Sequence, residues 1–236
     1  MPLGPLINTF ATLVGALLGV WLRRYLPDGL KKQLPATFGL LSLGMGVMMT
    51  AKTSLLPPVI LAVLIGHILG EICALEKNIE RAAVGVNGFL VRWFPADVKG
   101  TEQYYKDFIS VLVLFSASGT GIFGAMNEGI THDSTLLVAK AILDFCTALI
   151  FATSLGMIVT VTVMPQFMIL MGLYFLGRFI MPYTSPELIA DFSGCGGIIM
   201  MATGLRICQI KQFSIANMLP ALLIVMPLSY YWRSWF

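Results

Sequence analysis

Leu3 to Leu22 is an apolar run long enough to cross a hydrocarbon core, and the chain holds several more like it. Such runs satisfy their backbone in lipid only as helices or as closed barrels, and their length selects helices. Composition agrees: residues are 57% hydrophobic and 11% charged, against about 45–50% and 25% in soluble domains. The expectation is an all-α integral membrane protein, one polytopic domain over 1–236, with about eight transmembrane helices. A net charge of +3 beside apolar segments carries topology information and excludes a nucleic-acid partner.

In chain order, segment one ends at Arg23-Arg24 and carries Gly15 and Gly19 in GxxxG spacing, which suits close packing within the chain or a homo-oligomer contact. LPDGLKKQLP then reads as a short amphipathic surface piece, followed by a short segment two, 36–50, with Gly39, Gly44 and Gly46. Segment three, 55–75, opens with Pro57-Pro58. It places His67 and Glu71 on one face, where they suit a hydrogen-bonded pair and not a metal site. From Lys77 to Phe94 the apolar positions recur at helical spacing opposite Lys77, Glu80, Arg81 and Arg92, the pattern of an in-plane amphipathic helix. A polar linker leads to segment four, 108–126, and a polar turn is expected over Asn127–Ser134.

Segment five lies between Ser134 and Pro165. One straight helix of that length would measure about 48 Å against a core of roughly 30 Å, so it is long and tilted or broken, with Gly156 as the natural break. Segments six to eight follow at 166–181, 192–208 and 216–232. Cys73, Cys146, Cys195 and Cys208 lie in or beside apolar runs without CxxC or Cys/His spacing, so neither a disulfide framework nor a metal site is expected; no cofactor is implied. The first run lacks a basic leader and a cleavage site, the pattern of a retained helix.

The stretch from Ser116 to Asp144 concentrates the chemistry. It begins with a ladder of small residues, Ser116, Thr120 and Gly124 beside Ala117, Gly121 and Ala125, and ends with Lys140 and Asp144 one turn apart on one face. At mid-membrane each charge costs about 2.5–3.5 kcal/mol, while an i,i+4 pair returns only about 0.2–0.5 kcal/mol. The pair must therefore meet other polar groups, a hydrated cavity or the membrane boundary. The glycine-rich stretch 118–128, or Asp191 with Arg206, is the expected partner. Two readings stand: a structural ion pair pinning helices, or a functional site.

Basic residues set the orientation. With the N-terminus outside, the inner loops hold Arg23, Arg24, Lys31, Lys32, Lys77, Arg81, Arg92, Lys99, Lys106, Arg206 and Lys211, while Lys52, Arg178 and Arg233 fall outside. The ends of the chain also resemble each other. Gly15–Gly19 aligns with Gly172–Gly177, Pro27-Asp28 with Pro186-Glu187, and Phe38–Gly46 with Gly196–Gly204. Residues 3–75 and 166–236 then form two repeats around a connector (76–106) and central segments (107–165), and their odd offset inverts one copy. Short glycine-interrupted helices at matching positions of inverted repeats point to a transporter's binding site.

GTGIFGAMNEG, LLVAKAILDF, Gly156, DFSGCGG, TGLRICQIK and NMLPALL resemble the YqgA-like bacterial inner-membrane proteins, from Gly4 to the end of the chain. The resemblance implies a multi-pass protein of the bacterial plasma membrane, and no biochemical activity. On its motif blocks the polar positions of interest are Asn127, Glu128, Lys140, Asp144, Asp191, Arg206 and Asn217; His67 lies outside the pattern.

The functional expectation is a transporter or channel for a small ion or solute. Asp144 and Asp191 would bind a cation or carry a proton, Lys140 would compete for Asp144, and Arg206 would balance the other repeat. The alternative is a non-transporting membrane partner or sensor using the 77–94 helix. An enzyme is not expected: HExxH, GxSxG and the GxGD pattern are all missing.

Overall fold

The structure is a computed structural model and describes residues 1–25, 28–79, 81, 108, 111, 112, 114–116 and 118–235. The described residues are helical, without strands. We number the long helices α1 (Leu3–Leu22), α2 (Asp28–Thr50), α3 (Leu56–Ile72), α4 (Gly119–Thr131), α5 (Thr135–Leu155), α6 (Val163–Ile180), α7 (Pro186–Ile207) and α8 (Pro220–Trp235). A 3-10 stretch, Gly156–Thr162, joins α5 to α6, and a single turn, Ile215–Met218, precedes α8. Four stretches are long and apolar enough to cross a membrane by length and composition: Leu3–Leu22, Thr135–Tyr183, Pro186–Ile207 and Ile215–Trp235.

Local chemistry explains the boundaries. Ser118 accepts the Gly121 amide at 3.1 Å and starts α4. His132, at φ 61°, closes α4 by donating its amide to Glu128. Asp133 then accepts both the amide (2.9 Å) and the hydroxyl (2.5 Å) of Thr135, opening α5 immediately. Those Thr135 bonds, the hydroxyl first, hold the Asp133 carboxyl below its ordinary range. α7 begins with Ser185 accepting the Leu188 amide and with Pro186 in the first turn.

Several boundaries depart from expectation. The amphipathic piece is not separate: α2 runs through it as one helix from Asp28 to Thr50, with Pro35 inside. Proline removes one rung of the ladder, yet packing against α7 holds the rest. The polar turn is only 132–134, because Asn127–Thr131 continue α4. Ser118 starts a new helix within segment four. Helical residues 75–79 and 81 occupy the beginning of the expected in-plane helix, whose remainder lies outside the described residues.

The break at Gly156 is as expected. Its φ of 73° and ψ of −152° lie where essentially only glycine rests. Gly156→Ala should cost about 1–3 kcal/mol, read as a lowered unfolding midpoint in detergent; an unchanged midpoint would show that the 3-10 stretch absorbs the strain.

Helix directions follow from close backbone approaches. Gly15 lies against Phe145 and Gly19 against Leu149, so α1 and α5 run parallel. Gly39 faces Gly204 and Gly46 faces Gly197, reciprocally, so α2 and α7 are antiparallel. Gly66 meets Ala221 and Gly70 meets Asn217, which makes α3 and α8 antiparallel. α4 crosses α6 with Gly129 at Tyr174 and Gly177 at Met126. A Cβ at any of these glycines would crowd a neighbouring backbone, and their absence lets the helices touch.

Two cores result. One gathers Val59, Phe123, Phe192, Ile199, Leu222 and Val225 around α3, α4, α7 and α8. The other gathers Ala16, Phe108, Leu112, Phe115, Ala148 and Val159 around α1 and α5. The outer surface stays apolar: Phe10, Trp21, Leu40, Leu64, Ile68, Ile142, Met164, Phe179 and Leu223 are all exposed.

A buried polar centre where α1, α5 and α6 meet

Lys140 and Asp144 lie on the face of α5 turned into the bundle, with side chains 3% and 11% exposed. They form an ion pair through Lys140 Nζ and Asp144 Oδ2. The same oxygen accepts Asn8 Nδ2 of α1 at 2.9 Å and Gln166 Nε2 of α6 at 2.7 Å. Gln166 Nε2 also donates to Asn8 Oδ1 at 2.6 Å. Asn8 and Gln166 are fully buried. Three elements distant in sequence thus converge on one carboxylate oxygen. Gly121 of α4 makes room for the Lys140 stem: a Cβ there would sit 2.7 Å from Lys140 Cε.

The centre resolves the energetic problem posed by the pair, but not with the expected partners. Asp144 meets polar groups of other helices, Asn8 and Gln166, rather than those of the 118–128 stretch or Asp191 with Arg206. One buried oxygen of the site stays unsatisfied: Gln166 Oε1 has no hydrogen-bond partner among the described residues. Buried polar atoms without partners are rare and call for an explanation.

The other expected site residues lie elsewhere. Call the end where α1 begins the upper end. Glu128, on the last turn of α4, points both carboxylate oxygens at the Gly4 amide, 3.1 Å from each, and so caps α1. Asn127 bonds locally to Thr131 at 3.3 Å. Asp191, fully buried at the start of α7, caps α3 by accepting the Ser54 (2.9 Å) and Leu55 (2.7 Å) amides through Oδ1. Its Oδ2 accepts the Ser229 hydroxyl and Arg233 Nη2, the latter at 2.8 Å.

Arg206 does not balance Asp191. Fifteen residues of helix, about 22 Å at 1.5 Å each, put it at the lower end of α7. There it pairs with Glu76 at 2.5 Å. Asn217 completes this lower cluster, accepting the Glu76 amide at 2.8 Å and donating to Glu71. Glu71 therefore takes Asn217 in place of the expected His67. The described residues hold no cluster of metal-ligating side chains and no disulfide.

Asp191 is a capping and pairing residue whose acceptors are in use. Asp191→Asn keeps the shape and one acceptor but weakens the Arg233 pair, in which the arginine side chain is 29% exposed. A loss of about 1–2 kcal/mol is expected in unfolding experiments. A loss well beyond that would mean that the carboxylate charge, not its cap geometry, holds α3.

Sequence reasoning missed Asn8 and Gln166. Each is a lone uncharged amide inside an apolar run, and only that isolation signals it: an amide buried in such a run needs a partner.

The chain matches the family "Protein of unknown function (DUF554)" over residues 3–230. It is 46% identical over 238 residues to "Uncharacterized protein YqgA" of Escherichia coli (strain K12), covering 100% of both chains. It is 25% identical over 227 residues to "Uncharacterized membrane protein YdfK" of Bacillus subtilis (strain 168), covering 94% of this chain and 93% of the relative. No solved structure matches. With a family match across nearly its whole length, the chain belongs to the DUF554 family.

Proposed function

We propose that this protein spans a bacterial plasma membrane and transports a small ion or solute through the centre formed by Asn8, Lys140, Asp144 and Gln166. The observation that carries the reading is the burial of that ion pair with two amides where α1, α5 and α6 meet. Ionisable groups at such depth usually mark a pathway. The exposed apolar side chains, the four stretches long and apolar enough to cross a membrane and the name of the Bacillus relative support the membrane setting.

The architecture we propose is an inverted repeat, α1–α3 against α6–α8. Helix directions support it: α1 and α3 begin at the upper end and α2 ends there, while α6 and α8 end there and α7 begins there. The pair Gly39–Gly204 becomes the pair Gly46–Gly197 when each residue is exchanged for its counterpart in the other copy. α1 leans on α5 as α6 leans on α4, so the central helices stand on opposite sides of the pseudo-axis. Transport would then proceed by movement of one half-bundle against the other around the charged centre.

The distribution of charge supports the N-terminus outside. Arg23, Arg24, Lys77, Arg81, Arg206 and Lys211 sit at the lower end, and Lys52, Arg178 and Arg233 at the upper. A single cysteine at residue 78 should resist membrane-impermeant labelling from outside intact cells, while one at residue 52 should react. The opposite pattern overturns the orientation. A homo-oligomer through small-residue faces would use the exposed surroundings of Gly44 and Gly172, since Gly15 and Gly19 are occupied inside the chain.

The deciding experiment is flux in vesicles holding the purified protein, with a panel of ions and small solutes. Protein-dependent flux lost in Asp144→Asn supports transport. Absence of any flux, with a protein partner recovered instead, favours the membrane partner or sensor.

A further inference from the structure

We propose that the substrate of this centre is a small uncharged solute of the amide or polyol kind, carrying both an N–H or O–H donor and an acceptor. The inference rests on the transport reading above and names the substrate class of the same site. Charge speaks against ions. The Lys140 ammonium and the Asp144 carboxylate already balance each other in contact, with side chains 3% and 11% exposed. An added cation leaves a net positive charge among buried groups, and an added anion a net negative one. Either costs far more than burying a neutral group that is hydrogen-bonded.

What the centre lacks is one hydrogen-bond donor. Gln166 Nε2 gives its two hydrogens to Asp144 Oδ2 at 2.7 Å and to Asn8 Oδ1 at 2.6 Å. Turning this amide over would press its oxygen against those two oxygens, so its orientation is fixed. Asn8 is fixed in the same way, its Nδ2 set on Asp144 Oδ2 at 2.9 Å. Gln166 Oε1 is therefore an acceptor by necessity, fully buried and without a partner among the described residues. Donors are in surplus beside it. The ammonium carries three hydrogens and Asn8 Nδ2 two, and among the described residues each group meets one acceptor, Asp144 Oδ2. A solute with a donor for Gln166 and an acceptor for these N–H groups completes both sides. Position supports the same reading. Asn8 stands eleven residues before Gly19, and Gln166 eleven before Gly177, which makes the two amides counterparts in the proposed repeat. They touch where α1 meets α6, at the interface between the copies, and such interfaces are where inverted-repeat transporters hold their substrates.

The test is uptake of radiolabelled acetamide, urea and glycerol into vesicles holding the full-length protein, beside protein-free vesicles, with sodium, potassium and chloride flux as comparisons. At least one of the three uncharged probes should enter faster with the protein present. Excess unlabelled probe should slow that entry, whereas N,N-dimethylacetamide, which has no N–H, should not. Gln166→Met should slow entry by about two- to tenfold, the equivalent of one neutral hydrogen bond. If that variant fails to fold, the competition on the intact protein decides, and inhibition by N,N-dimethylacetamide equal to that by acetamide overturns the inference. The thermal midpoint in detergent is read in parallel, since a ligand of the folded state raises it. Protein-dependent flux of ions without entry of any uncharged probe would remove the substrate class and leave transport standing. A midpoint raised by acetamide but not by N,N-dimethylacetamide, without flux of anything, would keep the binding chemistry and remove transport. Neither entry nor a midpoint shift with any of the three probes overturns the inference and leaves Gln166 Oε1 to a structural water.

Discussion

Replacing Asp144 alone with leucine should destabilise the folded protein by about 3–5 kcal/mol, because a buried ion stripped of its partner is strongly destabilising. Lys140 is 3% exposed, and its only described acceptor is Asp144. Asn8 and Gln166 lose the acceptor they share, adding unsatisfied donors. Lys140→Met should cost less, since the carboxylate keeps both amides. The double variant Lys140→Met/Asp144→Leu should recover much of the loss, as replacement of a buried pair by apolar groups often does. Unfolding of all four proteins in the same detergent, with ligand response, completes the cycle. A structural pair predicts that the double variant regains both stability and activity. The transport reading predicts regained stability with flux still absent. Full flux in the double variant would remove Lys140 and Asp144 from the site.

Much of the architecture was legible because long apolar runs leave few alternatives to a helix. Apolar runs announced α1, α6 and α8 within a few residues and the end of α7, which begins six residues before the expected start, and glycine at 156 marked a break that no other residue makes cheaply. Breaker signals misled where packing outweighed them. Pro35 suggests an end, but α2 is held along its length by the glycine face it shares with α7, so the helix runs through. Polarity misled at Asn127–Thr131: Glu128 is buried in a helix because the Gly4 amide needs a cap. The charged half of the centre was visible, since charges in apolar runs are conspicuous. Its amide half was not, because Asn8 and Gln166 acquire meaning only when α1 and α6 are brought to α5. Asp191 and Arg206 were linked through the repeat, but one helix holds them at opposite ends, and the local clusters at those ends claim each of them.

Introducing side chains at the α1–α5 seam should break both the seam and the polar centre. Cβ atoms at Gly15 and Gly19 would press on the Phe145 and Leu149 carbonyls, and backbone cannot rotate away as a flexible side chain can. Gly15→Val and Gly19→Val should each cost about 1–3 kcal/mol or more by overpacking. Being one turn apart on the same seam, they are not expected to add simply. Asn8, two turns above Gly15, is carried on the same rod, so opening the seam draws its amide from Asp144. Loss of ligand response should therefore accompany loss of stability, although neither glycine touches the centre. Gly44→Ala is the control: a Cβ there meets nothing within 4 Å, and alanine in a helix interior gains about 1 kcal/mol over glycine. Unfolding midpoints of the three variants in one detergent, with the ligand response measured on each, make the comparison. Valine at Gly15 tolerated as readily as alanine at Gly44 would show that α1 does not lie against α5, and the polar centre would then have no α1 component.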